Sequence, residues 1–254
     1  MIYMNKLKGK EKDYINTWIF AKNYDHSKTL TEIKTYFNYL ENKEFIDDVG
    51  LNLQICIKKS RPMYLHGYVL TSALHHYLTN NNVDNLTILE TGTARGFSAI
   101  CMSKILKDFN KNGTIHTLDI LSLTNSMYWN CINDTINGKC LRKDLLNKWS
   151  DLKHYIKLYE CDTNTELNKL NFERIHFAFL DGNHKYNSIL NELNYVKTRQ
   201  LSGDVIVCDD YTEKQFPGIY KAINDFINEK QYKSKIFYGN DGTKKRGYVY
   251  MIKI

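Results

Sequence analysis

Residues 86–96 read LTILETGTARG, and how this stretch is understood decides the fold. Leu86, Ile88 and Leu89 make a short apolar strand. Gly92 and Gly96 then open a turn, and Phe97, Ile100, Cys101, Ile105 and Phe109 follow at helical spacing. Glycines between strand and helix let the backbone turn sharply and approach a ligand with no side chain in the way. The spacing is E-x-G-x-x-x-G rather than the dinucleotide fingerprint G-x-G-x-x-G, which weakens an NAD reading.

Outward from this turn the strand–helix alternation continues. GTIHTLDI ends a second strand at Asp119, HYIKLYECD a third near Asp162, HFAFLD a fourth at Asp181 and DVIVCDD a fifth at Asp209 and Asp210. Pro217 opens a helix carrying Ile219, Ala222, Ile223 and Phe226. KSKIFYG and RGYVYMIKI, joined around Asp241-Gly242, close the chain as a hairpin. The pattern predicts an α/β fold: a Rossmann-like sheet of seven strands, mostly parallel, with the last strand antiparallel. Residues 1–85 contain no convincing strand. Thr29-Leu30-Thr31-Glu32 reads as a capping box, and Leu65, Val69, Leu70 and Leu74 mark a further helix. We therefore expect a helical cap or oligomerisation segment over 1–85 and a main domain over 86–254, with a substrate lid inserted at 120–153.

Composition narrows the class. The 254 residues, 43% hydrophobic and 25% charged, suffice for one large core. No apolar run approaches a membrane span, and the opening MIYMNKLKGKEK is charged rather than signal-like. The six cysteines show no C-x-x-C pair, so we expect reduced thiols and a cytoplasmic protein. The net charge of +7 is spread along the chain without the basic stripe a nucleic-acid surface more often shows, and it fits an anionic small molecule equally well, so nucleic acid is not the expected partner but charge alone decides nothing.

In parallel sheets ligands bind beyond the carboxyl ends of the strands, and all five such ends here carry an acid. Asp119 can accept from the hydroxyls of an adenosine ribose. Asp181, Asp209 and Asp210, on strands expected to be neighbours, repel one another unless a cation sits among them, and oxygen ligands suit Mg2+ or a similar divalent ion. An imidazole at His184 can take a proton from an attacking hydroxyl. The plain alternatives are a strand-end turn at Asp181-Gly182, a cap, and solvated charges.

The glycine turn with Asp119 resembles motif I and the ribose-binding acid of class I S-adenosylmethionine-dependent methyltransferases. That resemblance implies S-adenosylmethionine over Gly92, Thr93 and Gly96, with Glu90, Ser98, Asp119, Asp162 and Asp181 at its contacts. D-G-x-H after strand four and D-D-Y after strand five look like a bacterial branch of metal-dependent O-methyltransferases, which includes macrolide-sugar and cephalosporin-hydroxylase-type proteins. The likeness covers roughly residues 62–252; some relatives carry Glu or Asn within the strand-five pair. It implies Asp181, Asp209 and Asp210 as metal ligands and His184, with Asp181, as the catalytic groups. The expected reaction is O-methylation of a small metabolite, a sugar or glycoconjugate precursor, by a homo-oligomer. RNA or protein methylation, or an inactive nucleotide-binding scaffold, are the competing readings. In the insertion, Tyr128, Trp129, Arg142 and Lys143 suit a lid over the acceptor, with Tyr211 beside them; an ordinary packed insertion is the alternative.

Overall fold

The structure, a computed structural model, describes residues 6–254; the first five residues of the charged N-terminus lie outside it. Seven strands form one sheet in the order β3-β2-β1-β4-β5-β7-β6. They are β1 (Asn85–Thr91), β2 (Asn112–Asp119), β3 (Ile156–Glu160), β4 (Phe177–Leu180), β5 (Val205–Cys208), β6 (Tyr232–Asn240) and β7 (Lys245–Lys253). The first five are parallel, while β7 runs antiparallel to both β5 and β6. The strand order reverses direction between β1 and β4, and a crevice opens outside their carboxyl ends at such a switch point.

β4 and β5 are buried at every residue, as expected of strands covered on both faces. Their alternate side chains feed two apolar clusters. Phe177, Phe179, Val205 and Val207 face one side. There they pack with α1 (Glu11–Asn23), α2 (Ser27–Phe37), α3 (Lys43–Val49), α4 (Leu65–Asn80) and α5 (Phe97–Asp108). Ala178, Leu180, Ile206 and Cys208 face α8 (Tyr186–Lys197) and α9 (Pro217–Asn228). Two short helices, α6 (Asn133–Asn137) and α7 (Arg142–Leu145), lie in the insertion between β2 and β3.

The N-terminal helices share the sheet's own core: Ile33, Phe37, Leu70 and Leu74 belong to one cluster with Ile100 and Phe177. α4 is buried on nearly every side, because it lies against α5, α2 and β7. The expected capping box at Thr29 is not formed. α2 starts two residues earlier, at Ser27, and the Thr29 hydroxyl donates instead to the carbonyl of Tyr238 on β6 at 2.7 Å. A tertiary partner has taken the side chain that local sequence assigned to a cap. All six cysteines are free thiols. Among the described residues no helix is long and apolar enough to cross a membrane.

Candidate active site

Two groups of side chains occupy the crevice, one on each side of the β1–β4 junction. The first surrounds the glycine turn. Gly92 has φ +88°, and a Cβ there would stand 2.1 Å from the backbone oxygen of Asp181, so only glycine fits. Gly96 (φ +92°) caps α5, with Leu146 of the insertion directly over it. Glu90, Thr93 and Ser98 are buried, Ser98 bonded to Glu90 directly and Thr93 through Thr117. The Thr93 and Thr117 hydroxyls lie 2.6 Å apart, and the Thr117 and Ser98 hydroxyls both donate to Glu90. Burial, with a smaller push from Asp119, raises the Glu90 carboxyl to about 7. These three residues brace the turn from below.

Asp119 accepts the N–H of Ala94 at 2.7 Å and that of Leu121 at 2.9 Å, and Arg142 Nη2 lies 3.5 Å away. The carboxylate is thereby fixed at the tip of β2, next to the glycine turn, where a ribose would meet it. Asp162, just past β3, takes the backbone and side-chain N–H groups of Asn164 in a local turn.

The second group lies at the ends of β4 and β5. One ligand atom each from Asp181, His184 and Asp210 fall within 4.8 Å of one another. His184 Nε2 is 3.3 Å from Asp210 Oδ2, and its ring stands against Phe216 with centroids 4.5 Å apart. This trio differs from the expected set in one member. Asp210 adopts φ +59°, which turns its carboxylate toward His184, whereas Asp209 stays behind, buried, accepting the Asp210 N–H. Burial and the charges of Asp209 and Asp210 push the Asp181 carboxyl well above the usual carboxylate range. Burial, then Asp210, raises Asp209 to about 7.

Three of the expected acceptor contacts are elsewhere. Trp129 and Arg142 are fully buried: the indole N–H donates to the Cys140 carbonyl at 3.0 Å, and Arg142 reaches Asp119 and the Leu121 carbonyl. They pack the insertion, and Arg142 holds Asp119, instead of presenting a lid surface. Tyr211 is also buried, its hydroxyl donating to Asn224 of α9 at 2.9 Å. Tyr128 is half-buried and Lys143 exposed.

Three further residues, Arg95, Glu192 and Arg246, border the two groups. Arg95, inside the glycine turn, donates to the carbonyls of Leu53, Gln54 and Trp129 and so ties the turn to the N-terminal segment and the insertion. Glu192 on α8 is fully buried under Gly182, accepting from Thr91 at 2.8 Å and Thr163 at 2.6 Å. Its place three residues after Ile189 and four before Val196, on the apolar face of the helix, was the available signal. Arg246, the second residue of β7, lies 3.5 Å from Asp210, and nothing in its sequence neighbourhood marked it.

Residues 89–211 match a protein family described as a methyltransferase domain. An uncharacterized protein of Acanthamoeba polyphaga mimivirus is 28% identical over 174 residues, 67% of this chain and 71% of that one. The O-methyltransferase TomG from Streptomyces achromogenes, solved with S-adenosylmethionine, superposes with a TM-score of 0.59 at 12% identity, covering 90% of this chain and 99% of its own. An O-methyltransferase from Bacillus cereus in complex with S-adenosylhomocysteine gives 0.54 at 13%, covering 96% and 100%. Residues 89–211, just under half of the chain, thus resemble a methyltransferase domain, and the chain shares the fold of these solved O-methyltransferases.

Proposed function

We propose that the chain transfers a methyl group from S-adenosylmethionine to a hydroxyl of a small metabolite, with a divalent cation at the acid cluster. The observation that carries this reading is the convergence of Asp181, His184 and Asp210 within 4.8 Å, one strand away from the glycine turn. Two carboxylates suit a divalent ion with room for water or acceptor oxygens, and the imidazole beside them stays free to accept a proton. The raised Asp181 and Asp209 carboxyls agree, since buried acids this close are relieved by a cation. Such an ion, held by Asp181 and Asp210, would lower the acceptor hydroxyl's pKa and orient its oxygen.

The remaining work falls to the protein. The glycine turn and Asp119 would hold the cofactor, which supplies the methyl group, beside the cluster. His184, exposed at the mouth of the crevice, takes the hydroxyl proton as the new C–O bond forms and the S–CH3 bond breaks, releasing S-adenosylhomocysteine. The acceptor class implied by the resemblance is a sugar or glycoconjugate precursor.

Radiolabelled methyl transfer to a panel of sugars and sugar phosphates, with Mg2+ or with a chelator, tests the reading. We expect turnover only with the cation. His184→Ala should lower kcat by about a hundredfold or more while leaving S-adenosylhomocysteine affinity within about twofold. Equal loss of both would make His184 a structural residue, and undiminished turnover in chelator would remove the cation.

A further inference from the structure

The acid cluster has a cationic wall that the methyl-transfer reading does not use. Arg246, the second residue of β7, lies beside Asp210, and its side chain is 18% exposed. Its one polar contact among the described residues is the 3.5 Å approach of Nη1 to Asp210 Oδ1, a weak bond for a group with five donors. Lys58, on the segment before α4, is exposed, and its ammonium lies within electrostatic reach of both Arg246 and Asp210. Within reach of both, His66 is buried and adds no third charge, because burial holds its pKa near 3.

Tyr248, two residues after Arg246, is 1% exposed. Its hydroxyl lies among Asp209, Arg246, Asp210 and Asp181, and no described residue bonds to it. A buried hydroxyl without a partner costs about 1–3 kcal/mol, which a native pocket tolerates where a bound group or water completes it. The charges point the same way. Asp181, Asp209 and Asp210 together balance a divalent ion plus Arg246, so the positive charge of Lys58 is in surplus.

We propose that the methyl acceptor carries an anionic group, a carboxylate or phosphate ester, and that Arg246 and Lys58 bind it beside the acid cluster. This rests on the methyl-transfer reading and specifies its acceptor. Arg246 presents a planar fork to the oxyanion, while Lys58 acts as a point charge at the open side. The anion sets the distance from its own charge to the hydroxyl that receives the methyl group, so the pair would select among hydroxyls as well as among acceptors.

The test is calorimetric titration of glucose, glucuronate and glucose 6-phosphate into the full chain with Mg2+, both with and without saturating S-adenosylhomocysteine. We expect both anionic probes to bind at least about tenfold more tightly than glucose, with the difference shrinking at high salt. Lys58→Met and Arg246→Met should each reduce the preference to about threefold or less. Equal binding of charged and neutral probes overturns the proposal, as does a preference that survives both substitutions. Should Arg246→Met fail to fold, Lys58→Met, at an exposed position, decides. Failure of S-adenosylhomocysteine itself to bind would sink the methyltransferase reading separately, while the titrations without it still report on the anion pocket.

Discussion

The two halves of the crevice are finished to different degrees. At the glycine turn, Glu90, Thr93, Ser98 and Asp119 all find partners inside the protein. At the ends of β4 and β5, Asp181, His184 and Asp210 crowd together with a single long contact from Arg246, and the Tyr248 hydroxyl has no partner among the described residues. A site whose polar groups are satisfied in advance is rigid and binds by shape, as a cofactor cradle should. A site with raised carboxyls and spare donors derives its order from what binds to it. On the proposed reading the contrast separates cofactor positioning from acceptor chemistry, and substitutions at each end should break different functions.

The largest effect is expected where the halves touch. Gly92→Ala adds a Cβ 2.1 Å from the Asp181 backbone oxygen at a φ of +88°. It should destabilise the protein by on the order of 3 kcal/mol and abolish both cofactor binding and turnover, read by thermal melting and calorimetry. Normal S-adenosylhomocysteine binding in this variant would show that the turn and the acid loop are independent. Next comes Asp181→Asn, which keeps the fold and the cofactor site but weakens the cation site. Turnover should fall by roughly three orders of magnitude, the several kcal/mol a positioned cation contributes, with cofactor affinity unchanged. At the other end, Asp119→Ala should do the reverse. Cofactor affinity should drop roughly 10–100-fold while kcat at saturation holds, since charged hydrogen bonds to two ribose hydroxyls are lost. Matching profiles for Asp119→Ala and Asp181→Asn would erase the division.

How much of this could be read in advance follows the same division. The strands, their parallel run and the final hairpin were legible, because apolar runs ending in acids or glycines leave few alternatives. Asp119 and the Asp181–Asp210 pairing followed from strand ends alone. The membership of the cluster was not legible. That Asp210 rather than Asp209 turns toward His184 depends on Asp210 taking a positive φ, a conformation uncommon outside glycine that no local pattern announces. Trp129 and Arg142 misled because an aromatic–basic run reads alike on a lid and in a packed insertion; only the approach of Arg142 to Asp119 separates the two. Arg246 and Lys58 meet across 188 positions of sequence, and such a meeting is a property of the closed sheet rather than of either segment.

Glu192 offers the mildest and most selective check, because it belongs to neither half. It sits under Gly182 and ties Thr91, at the end of β1, to Thr163, beyond β3. Burial raises its carboxyl from 4.5 to about 7 against two hydroxyl bonds that pull it down. A carboxyl with a raised pKa binds more protons in the folded chain than in the unfolded one between these two values. Stability should therefore fall as pH rises from about 4.5 to 7 and level off above. Glu90 and Asp209 titrate in the same direction, whereas His66 and His116, whose pKa burial lowers, titrate in the opposite one, so the Glu192 contribution in the metal-free protein is read as a difference between parent and variant. Glu192→Gln keeps the shape and removes one ionisation. It should melt like the parent at pH 5 and above it at pH 8, by an amount up to the order of 3 kcal/mol. Measured in chelator, with S-adenosylhomocysteine affinity followed in parallel, an unchanged pH slope would mean that Glu192 is charged when folded and that the strap beneath the acid loop is held by ion–hydroxyl bonds instead.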